Sequence, residues 1–202
     1  LWTAGIAALL SAGVFTVTNV ESVNRSLDRA IIRVFNEGSL EYYKLAKHYH
    51  DTKQYDLALK YYEVAKDMYD QTFNADFLRS QVRSDISRLY IDMGGLAKAF
   101  EYASNAIAYD SDNTTAYNNL GVVLERQGKD KEAMESYKKS IEKDFTFAKP
   151  HINLGFLLSK KGKHEEAIEQ YRIALRLDPE NAQAHTNLGW KLREKGLLEE
   201  AL

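Results

Sequence analysis

The sequence predicts an all-α fold, a stack of helical hairpins, and three observations predict it. A pattern recurs every 34 residues, small residues return in phase with it, and glycines fall at the same turn of successive copies. Segments beginning at Thr114, Ala148 and Ala182 start 34 residues apart, and a fourth copy one period earlier begins at Ser80. A fifth begins at Ser39, with Phe73 to Arg79 left over between the first two copies as an expected extension of a helix end. The chain begins at Leu1 and breaks off at Leu202 inside the last copy, so we read it as part of a longer polypeptide.

Each copy carries the same slots. The first helix has a large apolar slot (Leu45, Ile86, Leu120, Leu154, Leu188) followed by a small one (Ala46, Ser87, Gly121, Gly155, Gly189). The second helix has an alanine (Ala58, Ala99, Ala133, Ala167, Ala201) and a bulky partner (Tyr62, Tyr137, Tyr171), with Ala103 departing. A small residue at a helix crossing lets two backbones approach, and the large side chains fill the wedge beside it. Gly94, Gly128, Gly162 and Gly196 sit where the first helix ends, a place suited to a left-handed residue. Lys53 holds that place in the first copy, where a different turn is expected. Pro179 falls just past a helix end and Pro150 in a first turn, both tolerated positions. A single hairpin cannot bury both faces, so neighbouring hairpins must complete a continuous core.

These residues resemble the tetratricopeptide repeat (TPR) family. The resemblance rests on the NLG triplets, the mid-repeat glycine, the EEA stretches and the closing LDP, and covers residues 39–202, about four-fifths of the chain. It implies an α-solenoid, a right-handed superhelix of hairpins, with repeats at about 39–72, 80–113, 114–147, 148–181 and a truncated 182–202. It also implies a protein-binding scaffold whose first helices line a concave groove. Carried over slot by slot, the partner groove is Tyr43, Lys47, Arg88, Asn118, Val122, Ile152, Phe156, Thr186 and Trp190. His50, Ser84, Ile91, Glu125, Ser159 and Arg193 fill the remaining places. Relatives grip the carboxylate end of heat-shock chaperones with a Lys–Asn clamp; here the corresponding places begin with Tyr43 and Lys47 and complete no such clamp. Val122, Phe156 and Trp190 share one slot of consecutive repeats, which would draw an apolar stripe along the groove.

Ahead of the repeats, residues 1–20 contain no charged side chain before Glu21, long enough as a helix to cross a bilayer core. Trp2 suits an interfacial position. We expect a transmembrane helix here in preference to a signal-peptide core, which is shorter, or a buried capping helix. Arg25, Arg29 and Arg33 are mixed with Glu21, Asp28 and Glu37, so charge assigns no side of the membrane. Residues 21–38 come next as a connecting or capping helix, with Val23, Leu27, Ile31 and Val34 at helical spacing; its expected role is to pack on the next element of the chain.

The composition narrows the function. A formal net charge of -2 gives no basic excess for nucleic acid, and the absence of cysteine removes thiolate chemistry and disulfides. His151 and His185 share a slot but lack further ligands at metal spacing, and His48 and His50 point to different helix faces. Glu165, Glu166, Glu199 and Glu200 open helices, where carboxylates favour the positive dipole end. No phosphate loop or nucleophile elbow is present. The expectation is a non-catalytic, membrane-tethered scaffold with no cofactor, metal or small-molecule substrate, binding a peptide or helix of other proteins. Two alternatives are an accessory subunit of a membrane complex, and the TPR tail of a larger multi-pass membrane enzyme such as a glycosyltransferase.

Overall fold

The computed structural model describes residues 38–72, 74–194 and 196. Nine helices are present among them: α1 over 38–51, α2 Tyr55–Asp70, α3 Asp76–Asp92, α4 Leu96–Tyr109, α5 Thr114–Arg126, α6 Asp130–Lys143, α7 Ala148–Lys160, α8 His164–Leu177 and α9 Ala182–Glu194. They pair as hairpins α1–α2, α3–α4, α5–α6 and α7–α8, and α9 opens the next. From α3 onward each first helix packs on the second helix of the hairpin before it, and the first helices also touch one another in series. The expected stack of hairpins is therefore the fold. None of the described helices is long and apolar enough to cross a membrane. The expected span over 1–20 and the helix over 21–38, apart from residue 38, lie outside the described residues.

The slots behave as their sizes require. Ala58, Ala99, Ala133 and Ala167 are fully buried, as are Ala46 and Ser87 opposite them. A Cβ added at Gly121 would lie 2.5 Å from Tyr137 Cε1, and one at Gly155 would lie 2.7 Å from Tyr171 Cε1 and 3.2 Å from the Ala167 carbonyl oxygen. In these two hairpins the missing Cβ is the room the tyrosine ring occupies. Where the bulky residue is Ala103 instead, the facing small residue is Ser87, whose hydroxyl donates 2.8 Å to the Ala99 carbonyl across the crossing.

The hairpin turn is uniform, including where a lysine was expected to change it. Gly94, Gly128 and Gly162 have φ of +80°, +76° and +77°, and Lys53 adopts φ 59° in the same place. The hydrogen bonds match as well: Gln54 N–H donates to Tyr49 O at 2.8 Å, as Lys129 does to Leu124 O at 2.9 Å and Lys163 to Leu158 O at 3.0 Å. The helix-ending motif thus prevails over the cost of a left-handed non-glycine residue, on the order of 1–2 kcal/mol.

The leftover segment extends a helix in its second half, as an addition to the start of α3. α2 ends at Asp70, Asn74 takes φ 56°, and α3 begins at Asp76, four residues ahead of the Ser80 frame. The insertion thereby lengthens both neighbours: α2 has 16 residues against 14 in α4, α6 and α8, and α3 has 17 against 13 in α5, α7 and α9. Two arginines of α3, Arg79 on the added residues and Arg83 one turn later, close the end of α2. Arg79 donates to the carbonyls of Tyr69, Asp70 and Thr72 at 3.1, 3.0 and 2.8 Å. Arg83 donates to both Asp70 carboxylate oxygens at 2.8 and 2.6 Å and lies 4.5 Å from the Tyr109 ring centroid.

Candidate protein-interaction surface

The first helices present two kinds of surface along the stack. At the N-terminal end, α1 and α3 are joined by a polar network. The Tyr43 hydroxyl donates to Asp85 Oδ2. His50 Nε2 and Arg88 Nε both contact Asp92 Oδ2, at 3.0 and 3.2 Å, and the Lys47 ammonium lies 5.7 Å from the Tyr43 ring centroid. Burial pushes the Asp85 carboxyl above its ordinary range, opposed by the Tyr43 hydrogen bond and by the charges of Lys47 and His50. Burial, and then Asp85, push the Tyr43 hydroxyl far above its usual value, so it stays a donor.

A carboxyl raised in the folded state holds its proton over a window that opens at the ordinary carboxylate range and extends upward. The folded form binds more protons than the unfolded form there, so stability falls as pH rises through the window. Asp85→Asn keeps an acceptor for Tyr43 and removes the penalised charge. The variant is expected to unfold at a higher temperature than wild type at neutral pH, with the gain shrinking on acidification. Thermal melts at neutral and acidic pH check this. An unchanged or lower midpoint at neutral pH would show that Lys47 and His50 more than offset the burial.

Further along, the surface turns apolar. Phe156 on α7 is 49% exposed and Trp190 on α9 is 63% exposed, with the Arg193 guanidinium 4.7 Å from the Trp190 ring centroid. Val122 on α5, in the same slot, is half-buried and packs against the core on both sides. The stripe is therefore rooted at Val122 and open at Phe156 and Trp190. Lys47 and Thr186 are exposed, and Arg88 is half-buried beside Asp92.

The structure removes the other expected groove residues from the surface. Tyr43 is 9% exposed, and Asn118 and Ile152 are 1% and 2% exposed; Ser84 and Ile91 of the same series are buried too. These side chains sit between consecutive first helices, because adjacent rows on one helix face part between a neighbouring helix and solvent. The neighbouring row holds contacts that the sequence reading missed. Asn119 Nδ2 donates to Ser84 O at 2.9 Å and Asn153 Nδ2 to Asn118 Oδ1 at 2.8 Å, each a rung between successive repeats. The signal was present in the recurring Asn of the NLG triplet. The paired-histidine slot separates: His151 is buried with Nδ1 2.8 Å from Gln170 Oε1, whereas His185 is exposed with Nε2 2.8 Å from Pro179 O. Among the described residues, no group of three His, Cys, Asp or Glu side chains could hold a metal ion.

Two family models match the chain, one described as tetratricopeptide repeat over residues 85–144 and one as TPR repeat over residues 157–192. The chain is a tetratricopeptide-repeat protein. Solved structures place this TPR chain among similar stacks. It is similar to PilF of Pseudomonas aeruginosa, with TM-score 0.70 and 19% identity over 83% of this chain and 73% of that one. It is similar to TTC0263, a thermophilic TPR protein of Thermus thermophilus, with TM-score 0.69 and 20% identity over 81% and 86% of the two chains. The first TPR of Spaghetti (RPAP3), solved bound to the HSP90 peptide SRMEEVD, matches with TM-score 0.55 and 19% identity over 59% of this chain and 95% of that one. At these identities the likeness is one of fold. A search of curated protein sequences finds no match.

Proposed function

We propose that this TPR chain is a non-catalytic scaffold that holds a partner protein by an apolar anchor laid on the first-helix surface of its third to fifth repeats, and that residues 1–20 tether it to a membrane. The observation that carries the reading is the exposure of Phe156 and Trp190 in one slot of consecutive repeats. Large apolar side chains left in water on a packed protein mark partner sites, and aromatic residues supply most of the binding energy at such sites. A TPR relative bound to a peptide supports the general mode. The chemistry differs from acidic-tail capture in that Lys47 and Arg88 already stand beside the carboxylates Asp85 and Asp92. The anchor therefore comes from an apolar or aromatic side chain, with Arg193 beside Trp190 available to a carboxylate or carbonyl at its edge.

The test uses the full chain purified in gentle detergent, with co-purifying proteins identified and then titrated against the variant Phe156→Ala plus Trp190→Ala. Affinity is expected to fall at least tenfold with helicity unchanged and the melting temperature little altered, because Trp190 is mostly exposed and Phe156 about half exposed. Undiminished binding would remove the stripe from the function, and loss of folding would assign the rings to the core. A monodisperse full chain that needs no detergent would overturn the tether and leave the stripe standing.

A further inference from the structure

We propose, on the reading that Phe156 and Trp190 anchor a partner, that the side-chain amide of Asn187 on α9 donates to a backbone carbonyl of that partner, which lies there as an extended, polyproline II-like segment. Asn187 belongs to a series set by the repeat. Asp85, Asn119, Asn153 and Asn187 stand 34 residues apart, each just ahead of the large apolar slot of its first helix. The first three are bonded to the preceding first helix. Asp85 accepts from the Tyr43 hydroxyl, Asn119 donates to the Ser84 carbonyl at 2.9 Å, and Asn153 donates to Asn118 Oδ1 at 2.8 Å. The fourth rung is unmade. Ile152 stands on α7 where Asn118 stands on α5; it is 2% exposed and has no polar side-chain atom. Among the described residues, Asn187 Nδ2 is buried beside this helix without a hydrogen-bond partner.

A buried donor left unpaired costs stability unless something outside the fold completes it. Trp190 lies one turn beyond Asn187 on α9, and Phe156 lies one turn beyond Ile152 on α7, so the amide sits next to the two exposed rings. Asn187 as a residue is only half-buried, and turning its amide brings Nδ2 towards the groove without breaking any hydrogen bond. A helical partner has no carbonyl to give there, because each one in mid-helix accepts an internal bond. A polyproline II segment keeps its carbonyls unspent. It also turns once every three residues with a rise of about 3.1 Å each, so side chains three apart stand on one side about 9 Å from each other. Helices in contact are spaced about 8–10 Å apart, and α7 touches α9. Two apolar side chains three residues apart therefore reach both rings.

The test measures the affinity of the full chain, in gentle detergent, for two synthetic peptides of equal length. One is proline-rich with two leucines three residues apart, and the other is an alanine-rich helix with leucines four apart. The proline-rich peptide is expected to bind at least tenfold more tightly. Asn187→Ala and Asn187→Leu should each weaken it about fivefold, the net worth of one hydrogen bond, and leave the helical peptide unaffected. Esters in place of the backbone amides between the leucines, whose carbonyls accept more weakly, should weaken binding to wild type about as much and to Asn187→Ala no further. Asn187→Leu should melt no lower than wild type, since its amide bonds nothing inside the fold. Tighter binding of the helical peptide, binding of neither, or variants that bind as tightly as wild type would overturn the proposal. A lower melting midpoint would overturn it too, by showing the amide spent within the stack. In any of these cases, weaker capture of the co-purified partner by Phe156→Ala plus Trp190→Ala would keep the anchor and reject only the extended form of what it holds.

Discussion

Gly121→Val is expected to destabilise the solenoid by about 3 kcal/mol or more, at the upper end of what overpacking a core costs. A glycine in a helix interior ordinarily gains about 1 kcal/mol on replacement by alanine, so helix propensity pushes the other way. Contact decides the sign. The first added carbon would stand 2.5 Å from Cε1 of Tyr137, a ring that is fully buried and held at its hydroxyl by Glu125 Oε2 at 2.8 Å. The first hairpin seats Ala46 beside Tyr62 with both buried, so Gly121→Ala has a route by a small ring shift and is expected to cost only about 1–2 kcal/mol. The two γ-carbons of valine have no such route. Urea unfolding of Gly121→Val, Tyr137→Ala and the double variant checks this. The double variant should be more stable than the sum of the single losses implies, since removing the ring frees the space. Strict additivity would show that the clash is not between these two residues.

The second large effect is expected at the irregular junction. Arg83→Ala should cost about 3 kcal/mol, near the lower end for breaking a buried ion pair because Asp70 keeps some contact with solvent. The arginine side chain is 9% exposed and Asp70 33% exposed. Arg79 approaches the same carboxylate only to 3.9 Å and cannot replace the paired bonds. Arg83→Lys should recover less than half of the loss, because an ammonium cannot hold Asp70, donate to the Arg79 carbonyl and lie flat on Tyr109 at once. In a stack where each hairpin touches its neighbours, the loss should be local. Hydrogen exchange is expected to show α1 and α2 opening ahead of α5 to α8, and a loss spread evenly over all hairpins would contradict this account.

The stack was legible in the sequence because its packing unit is short and repeated. Glycine against tyrosine at one crossing is ambiguous, but the same contact in phase at Gly121 and Gly155 leaves few other folds. The surface was less legible. Asn118 and Val122 lie four positions apart on one helix, yet the first is buried and the second half-open, and only the angle between neighbouring first helices separates them. Lys53 misled because the turn is set by backbone hydrogen bonds, which a lysine at positive φ can complete. The insertion between the first two repeats could be located from the broken period. Its division between two helices depends on Arg79 and Arg83 finding the end of α2, a contact between elements that periodicity does not encode.

That junction also bears on mechanics. Any tension applied between the start of the chain and a partner held near Trp190 must cross from α2 to α3. There the covalent link is a short turn with a left-handed Asn74, and the two elongated helices are clasped by arginine side chains. Pulled in that direction, the load between the first hairpin and the hairpins behind it passes through this clasp.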